Sequence, residues 1–185
     1  MCGRVFLQVV SFEYLPAKTV NAKGHKTVWV RCSGNEKKRV TAMLMGDSSG
    51  VAYTPFLVMK SPPAIDDARD LTNLQERQGF GPYVWLQVPK IEKASGVKIY
   101  GNRTAWWNAH LSKTFLEPYF ASRPDLNKPV LLLLDGFAGH WTADVISYAT
   151  SINVTLMKVP PRHTAVCQPT DVAWNRPFKS YLRDA

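Results

Sequence analysis

Five aliphatic residues set between a proline and a carboxylate, Pro129-Val130-Leu131-Leu132-Leu133-Leu134-Asp135, constrain this fold more than any other segment. A continuous apolar run of that length suits a strand buried on both faces, in a sheet covered by helices. It is the longest clean aliphatic run in the chain, far short of the ~20 residues a membrane span needs. The neighbouring segments fit a helix-covered sheet. Thr142 to Ile152 reads as a helix with Val145, Ile146 and Ala149 inward, and Val154 to Val159 as another buried strand, ended by Pro160-Pro161. Upstream, Thr104 to Ala121 reads as a helix capped by Thr104, striped by Trp107, Leu111, Phe115 and Leu116, and kinked or ended by Pro118. Gln168-Pro169-Thr170-Asp171 opens a last helix through Leu182.

The N-terminal third has strand periodicity instead. Val5 to Val10 has strand character, and residues 26–32 alternate polar and apolar side chains. After the turn Ser33-Gly34-Asn35-Glu36, Arg39 to Met45 is expected to return as a hairpin with 26–32. Val51 to Met59 is a third strand, which Pro55 restricts to an edge or a bulge. Residues 61–103 carry Pro62-Pro63, the acidic Asp66, Asp67 and Asp70, and Gly79-Phe80-Gly81-Pro82, and read as loops around short elements. The sum is one α/β domain over residues 1–185: a mixed sheet with an N-terminal antiparallel meander and flanking helices.

Charge is unevenly placed on this frame. The formal net charge is +9, with residues 40–157 summing to zero. Within residues 18–39, Lys18, Lys23, Lys26, Arg31, Lys37, Lys38 and Arg39 stand against Glu36 alone; within 158–183, Lys158, Arg162, Arg176, Lys179 and Arg183 stand against Asp171. Two basic ends on a neutral body suit a polyanion such as DNA, although a solvated basic face accounts for charge equally. Three dispersed cysteines indicate no disulfide framework, and His163 with Cys167 lacks a second ligand pair for zinc. The opening MCGRVFLQVV lacks a small-residue cleavage site and is expected to be a strand or a damaged N-terminus of an intracellular protein.

Two carboxylates stand where chemistry is built. Asp135 closes a buried strand, and the carboxyl ends of strands are where α/β sheets place their sites. Asp171 follows 36 positions later at a helix start, and one helix and one strand between them could return it to the same rim. Two such side chains can hold Mg²⁺ or Mn²⁺, hard cations that prefer oxygen and can activate water against a phosphodiester. Taken singly, each has a plainer explanation as a turn residue or a helix cap.

The ordered set Asp135-Gly136 with His140, then Pro160-Pro161, then Gln168-Pro169-Thr170-Asp171 resembles the second half of the DDE superfamily endonucleases, the group of pogo- and mariner-like transposases and the CENP-B and jerky-like proteins. The stretch from Phe12 to Gly50 is similar to the same family's hairpin region. The resemblance implies an RNase H-like fold, DNA as partner, a nuclear location and Mg²⁺ or Mn²⁺ held by a triad of acids, and it admits a homodimer. Asp135 and Asp171 match the second and third members of that triad. His140 matches a family histidine that either bonds a metal-bound water or a phosphate, or makes a structural bond in its loop. Lys23, Lys26, Arg31, Lys37, Lys38, Arg39, Arg162 and Lys179 are the expected DNA contacts.

The first triad member belongs on the first strand, where Val5 to Val10 carry no acid; Glu13 is displaced from that position. The family's N-terminal helix-turn-helix region and the continuation of its last helix are also lacking here, so an incomplete domain is expected. Two carboxylates would hold one ion weakly and would not clamp both the attacking and the leaving oxygen. The expectation is therefore a transposase-derived endonuclease and strand-transfer domain that binds nucleic acid with impaired catalysis. The alternatives are a domesticated DNA-binding or chromatin protein that kept the fold, and a pseudogene product. Trp106, Trp107, Trp141 and Trp174 could stack on bases, with core packing expected for them in helical settings.

Overall fold

The computed structural model describes residues 39–160, the backbone of 2–11, and positions 174, 177, 180 and 181. Three long strands open it: β1 (Cys2–Ser11), β2 (Arg39–Asp47) and β3 (Ala52–Lys60). β1 and β2 pair antiparallel along their length, from Gly3 opposite Asp47 to Ser11 opposite Arg39. β2 also pairs antiparallel with β3. The meander is therefore present, but β2 is flanked by β1 and β3; the hairpin partner expected at 26–32 lies outside the described residues. Pro55 resolves as a bulge. Met43 pairs with Phe56 and Met45 with Tyr53, so β3 carries one extra residue where Pro55 has no N–H to donate. It is not an edge, because β3 is covered on its far side by β4 (Lys98–Asn102).

Residues 61–103 hold more regular structure than their composition suggested. They form α1 (Asp67–Glu76), the single turn α2 (Pro82–Trp85), α3 (Val88–Ser95) and then β4. The acidic patch builds this unit: the Asp66 side chain caps α1 by accepting from Arg69 N, and Asp70 accepts from Ala64 N. A small core of Phe80, Val88 and Ile99 sits between α3 and the sheet. Two glycines allow close approach there. Gly79 has φ +83 beside the Gly101 carbonyl, and Gly101 lies against Phe80 and the Ser61 Cβ.

The C-terminal half contains α4 (Ala109–Leu116), β5 (Val130–Leu134), α5 (Ala143–Ser151) and β6 (Val154–Lys158). The cap of α4 is Asn108, which accepts from Leu111 N, so Thr104 to Trp107 form a loop and not a first helical turn. Pro118 falls in a π turn over Glu117–Ala121, which ends the helix. In α5, Val145 and Ala149 are buried but Ile146 is 42% exposed, since it falls on the outer side of the helical stripe. β5 is interior to the sheet, with Val130, Leu132 and Leu134 buried and Leu131 and Leu133 partly so. β6 was expected to be buried; among the described strands it is an edge, and only Val154 along it is buried.

The sheet runs β4-β3-β2-β1-β5-β6, with β1–β5, β5–β6 and β3–β4 parallel. Only β2 runs against the rest. One edge of the sheet thus gathers the carboxyl ends of β1, β3, β4, β5 and β6 and the start of β2. The main core lies on one face, where Met43, Phe56, Leu132 and Leu134 meet Leu111 and Phe115 of α4 and Val145 and Ala149 of α5. Phe56 stacks on Tyr100 at 4.7 Å between centroids and meets Trp107 and Phe115 edge-on. Gly46 alternates away from Met45, toward the opposite face, and a Cβ there would collide with the Trp174 ring. Among the described residues no helix is long and apolar enough to cross a membrane.

Candidate active-site edge

Asp135 stands where β5 ends, on the edge just defined, and its surroundings are held from three sides. Its Oδ1 accepts from Phe137 N at 2.9 Å, closing a tight turn, and its carbonyl accepts from Trp141 Nε1 at 2.9 Å. Oδ1 also faces His140 Nε2 at 3.6 Å, an electrostatic contact longer than a hydrogen bond. Among the described residues Oδ2 has no partner. The Asp135 side chain is 26% exposed and that of His140 only 2%.

His140 is fixed from behind. Its Nδ1 lies 3.0 Å from Ser112 Oγ on α4, and that same hydroxyl accepts from Trp107 Nε1 at 2.9 Å. The Gly139 carbonyl and the Asn108 carbonyl also lie within reach of the hydroxyl, at 3.0 and 3.2 Å. Burial pulls the imidazole pKa down to about 4, against the Asp135 carboxylate, which raises it. The ring is therefore neutral near pH 7. Its single proton is assigned to Nε2, facing the carboxylate, with Nδ1 accepting from Ser112. Gly139 lets this turn press on α4: a Cβ there would meet the Phe137 ring and, at 3.2 Å, Ala109 N.

One cation lies beside the carboxylate, and others stand farther along the strands. Lys158 ends β6 and passes beside Gly136, where an added Cβ would lie 3.5 Å from its Cε. Arg39 starts β2, two strands away on the other side and, by the register through β1, five residues farther along the strands. Lys60 and Arg103 follow toward β4, beside the acidic start of α1.

The expected residues divide sharply. Asp135 and His140 are together, and Arg39 is on the same edge. Asp171, Lys23, Lys26, Arg31, Lys37, Lys38, Arg162 and Lys179 lie outside the described residues, as does Glu13. Among the described residues no three His, Cys, Asp or Glu side chains cluster as a metal site. β1 occupies the place between β2 and β5 and contains no Asp or Glu in its ten residues. Ser112 escaped the sequence reading because nothing about a helical serine marks it. Lys158 was legible, as the last residue of the strand that follows Asp135. Of the tryptophans, Trp107 is core, Trp141 braces Asp135, Trp174 covers Gly46, and Trp106 is 53% exposed.

Known proteins resemble the chain in sequence and in fold. The family described as DDE superfamily endonuclease matches residues 37–185. The chain is 26% identical over 167 residues to the human "Pogo transposable element with KRAB domain", covering 89% of this chain and 24% of that protein. The mouse protein of the same name matches with the same identity and coverage. The chain thus spans about a quarter of the length of these relatives. Among solved structures, the Mos1 strand transfer complex aligns with a TM-score of 0.52 at 12% identity, over 98% of this chain and 41% of that one. That likeness is one of fold, a mixed α/β sheet of RNase H type. By the extent of the family match, the chain belongs to the DDE superfamily endonucleases.

Proposed function

We propose that this chain is a transposase-derived endonuclease and strand-transfer domain that binds DNA along the carboxyl edge of its sheet, with its phosphodiester chemistry impaired. One observation carries the impairment: β1 lies directly beside the strand that ends in Asp135, and it holds no carboxylate. The Oδ2 of Asp135, a hard oxygen without a partner among the described residues, fits a divalent cation. Asp135 with Asp171 would hold Mg²⁺ or Mn²⁺, and the bound ion would supply charge neutralisation at a phosphodiester. The chain's own residues do the rest. Phe137 N–H and His140 fix Oδ1 so that Oδ2 stays available, and Lys158 offers a cation to a phosphate. His140, 2% exposed, acts by positioning Asp135 and not by touching DNA. DNA as partner is supported by Lys158 beside Asp135, by the basic residues farther along the same edge, and by the strand transfer complex that shares the fold. A nuclear location and a homodimer belong to the same reading.

The same missing acid favours a second reading, a domesticated DNA-binding protein that kept the fold without the reaction. Plasmid nicking with Mg²⁺ or Mn²⁺, beside salt-titrated DNA binding, separates the two. The expected result is binding that weakens steeply with salt and only trace nicking. Robust nicking lost in both Asp135→Ala and Asp171→Ala would overturn the impairment. Binding with no nicking at any metal concentration would favour the domesticated protein, and absence of DNA binding would sink both.

A further inference from the structure

The loop after β4 delivers two adjacent tryptophans to opposite fates. Trp107 is 4% exposed and packs among Phe56 and Phe115, whereas Trp106 is 53% exposed. Exposure does not leave Trp106 loose. Its N–H donates to Thr104 Oγ1 at 3.2 Å and its carbonyl accepts from Asn102 Nδ2 at 2.7 Å. The preceding Ala105, fully buried at φ +57, has its carbonyl held by Thr41 Oγ1 at 2.7 Å. Arg39 lies over the indole at 4.2 Å from the ring centroid, and its Nε and Nη2 both donate to the Thr104 carbonyl, at 3.2 and 2.9 Å. A guanidinium so tethered covers the ring on one side and keeps its orientation fixed.

The location gives this exposed ring a meaning. Contacts to Arg39 and Thr41 put the loop over the start of β2, two strands across from β5 and five residues beyond the level of Asp135 by the register through β1, or about 20 Å from it. The neighbouring Trp107 ring is 6.0 Å from the His140 ring that backs Asp135. A large apolar surface, immobilised in water beside cations and a catalytic edge, suits a flat aromatic ligand attached to a phosphate chain.

We propose that Trp106, backed by Arg39, is a stacking platform for an unpaired nucleobase of the DNA bound at this edge. The inference rests on the DNA-binding reading above and adds to it the form of the substrate, a strand with at least one base out of its duplex. Stacking is tolerant of sequence, because every base offers a flat face.

The test uses the whole chain, a single-stranded oligodeoxynucleotide and the fully paired blunt-ended duplex closed by its complementary strand, titrated at several salt concentrations. Trp106→Ala is expected to weaken single-strand binding about tenfold, to affect the closed duplex far less, and to leave the salt slope unchanged. Trp106→Phe, which keeps a stacking face and guards against a folding defect, should recover most of the affinity. Arg39→Ala should reduce the slope as well, by about one if it also contacts a phosphate. Single-strand affinity within twofold of wild type in Trp106→Ala overturns the platform while the DNA reading stands. So does an equal loss on both DNA forms, or failure of the phenylalanine to restore binding. Wild-type protein that binds neither form overturns the DNA reading, and the platform with it.

Discussion

Two aspartates end strands at opposite edges of this sheet, and the difference between them separates structure from function. Asp47 closes β2. Its Oδ1 accepts from Ser49 N at 2.8 Å and Val51 N at 3.1 Å, and its Oδ2 accepts from the Tyr53 hydroxyl at 3.0 Å. Asp135 closes β5 with a similar turn on Oδ1, but its Oδ2 has no partner among the described residues. In sequence both are an Asp after an apolar run, with a glycine at hand. A carboxylate engaged on both oxygens is a turn fastener; one with an oxygen left unbonded by the described residues can still bind something.

Acid should take the two ends apart in order. His140 has its folded-state pKa depressed from 6.5 to about 4, chiefly by burial. The unfolded chain therefore takes up a proton that the folded chain refuses. In metal-free protein, stability is full above pH 6.5 and falls as pH drops toward 4, by about 3 kcal/mol in all. Asp47 behaves differently. Partial desolvation raises its pKa, but hydrogen bonds from Val51, Tyr53, Ser49 and Gly50 outweigh it and hold the carboxyl below 3.8. Its contribution persists above 3.8 and is lost only below. Urea melts with chelator present, from pH 7 down to 4, measure this. A His140→Gln variant with the same slope as wild type between 6.5 and 4 would break the ordering.

The next effect lies behind the ring. Ser112→Ala removes the acceptor of Trp107 Nε1 and the partner of His140 Nδ1 in a site closed to water. The expected loss is about 2 kcal/mol, as for buried polar groups left unpaired. It should come with a change in the His140 tautomer, read from imidazole nitrogen shifts. An unchanged Nε2-protonated ring would mean that Asp135 alone sets the proton, and that the two aspartates differ in their neighbours less than the geometry says.

How much of this was legible beforehand depends on the range of the signal. β2, β3 and β5 follow from local alternation or from an apolar run, and α5 from a 3.6-residue stripe. β4 was missed because Lys98-Ile99-Tyr100-Gly101-Asn102 offers one buried aliphatic and a glycine; what makes it a strand is its parallel pairing with β3 and the close packing on Gly101. The cap of α4 was misplaced because Thr104 and Asn108 are both good caps, and the hydrogen bonds of residues 102–107 decide between them. At the site, Asp135 and His140 were visible as a motif at fixed spacing. Ser112 and the stacking of Arg39 on Trp106 were not, because each joins residues that only the folded sheet brings together.

The smallest expected effect is the one that tests the comparison most directly. Asp47→Ala removes three hydrogen bonds from its turn and should lower the melting temperature more than Asp135→Ala, which removes one. Adding Mn²⁺ should reverse their importance. An ion bound only by the folded chain stabilises it by about 0.4 kcal/mol when its concentration equals the dissociation constant. That increment should appear in wild type and in Asp47→Ala, and vanish in Asp135→Ala. Calorimetric scans with and without millimolar Mn²⁺ resolve it. If Asp135→Ala keeps the increment, Oδ2 at the end of β5 is no better a ligand than the engaged oxygens at the end of β2, and the distinction between the two turns fails.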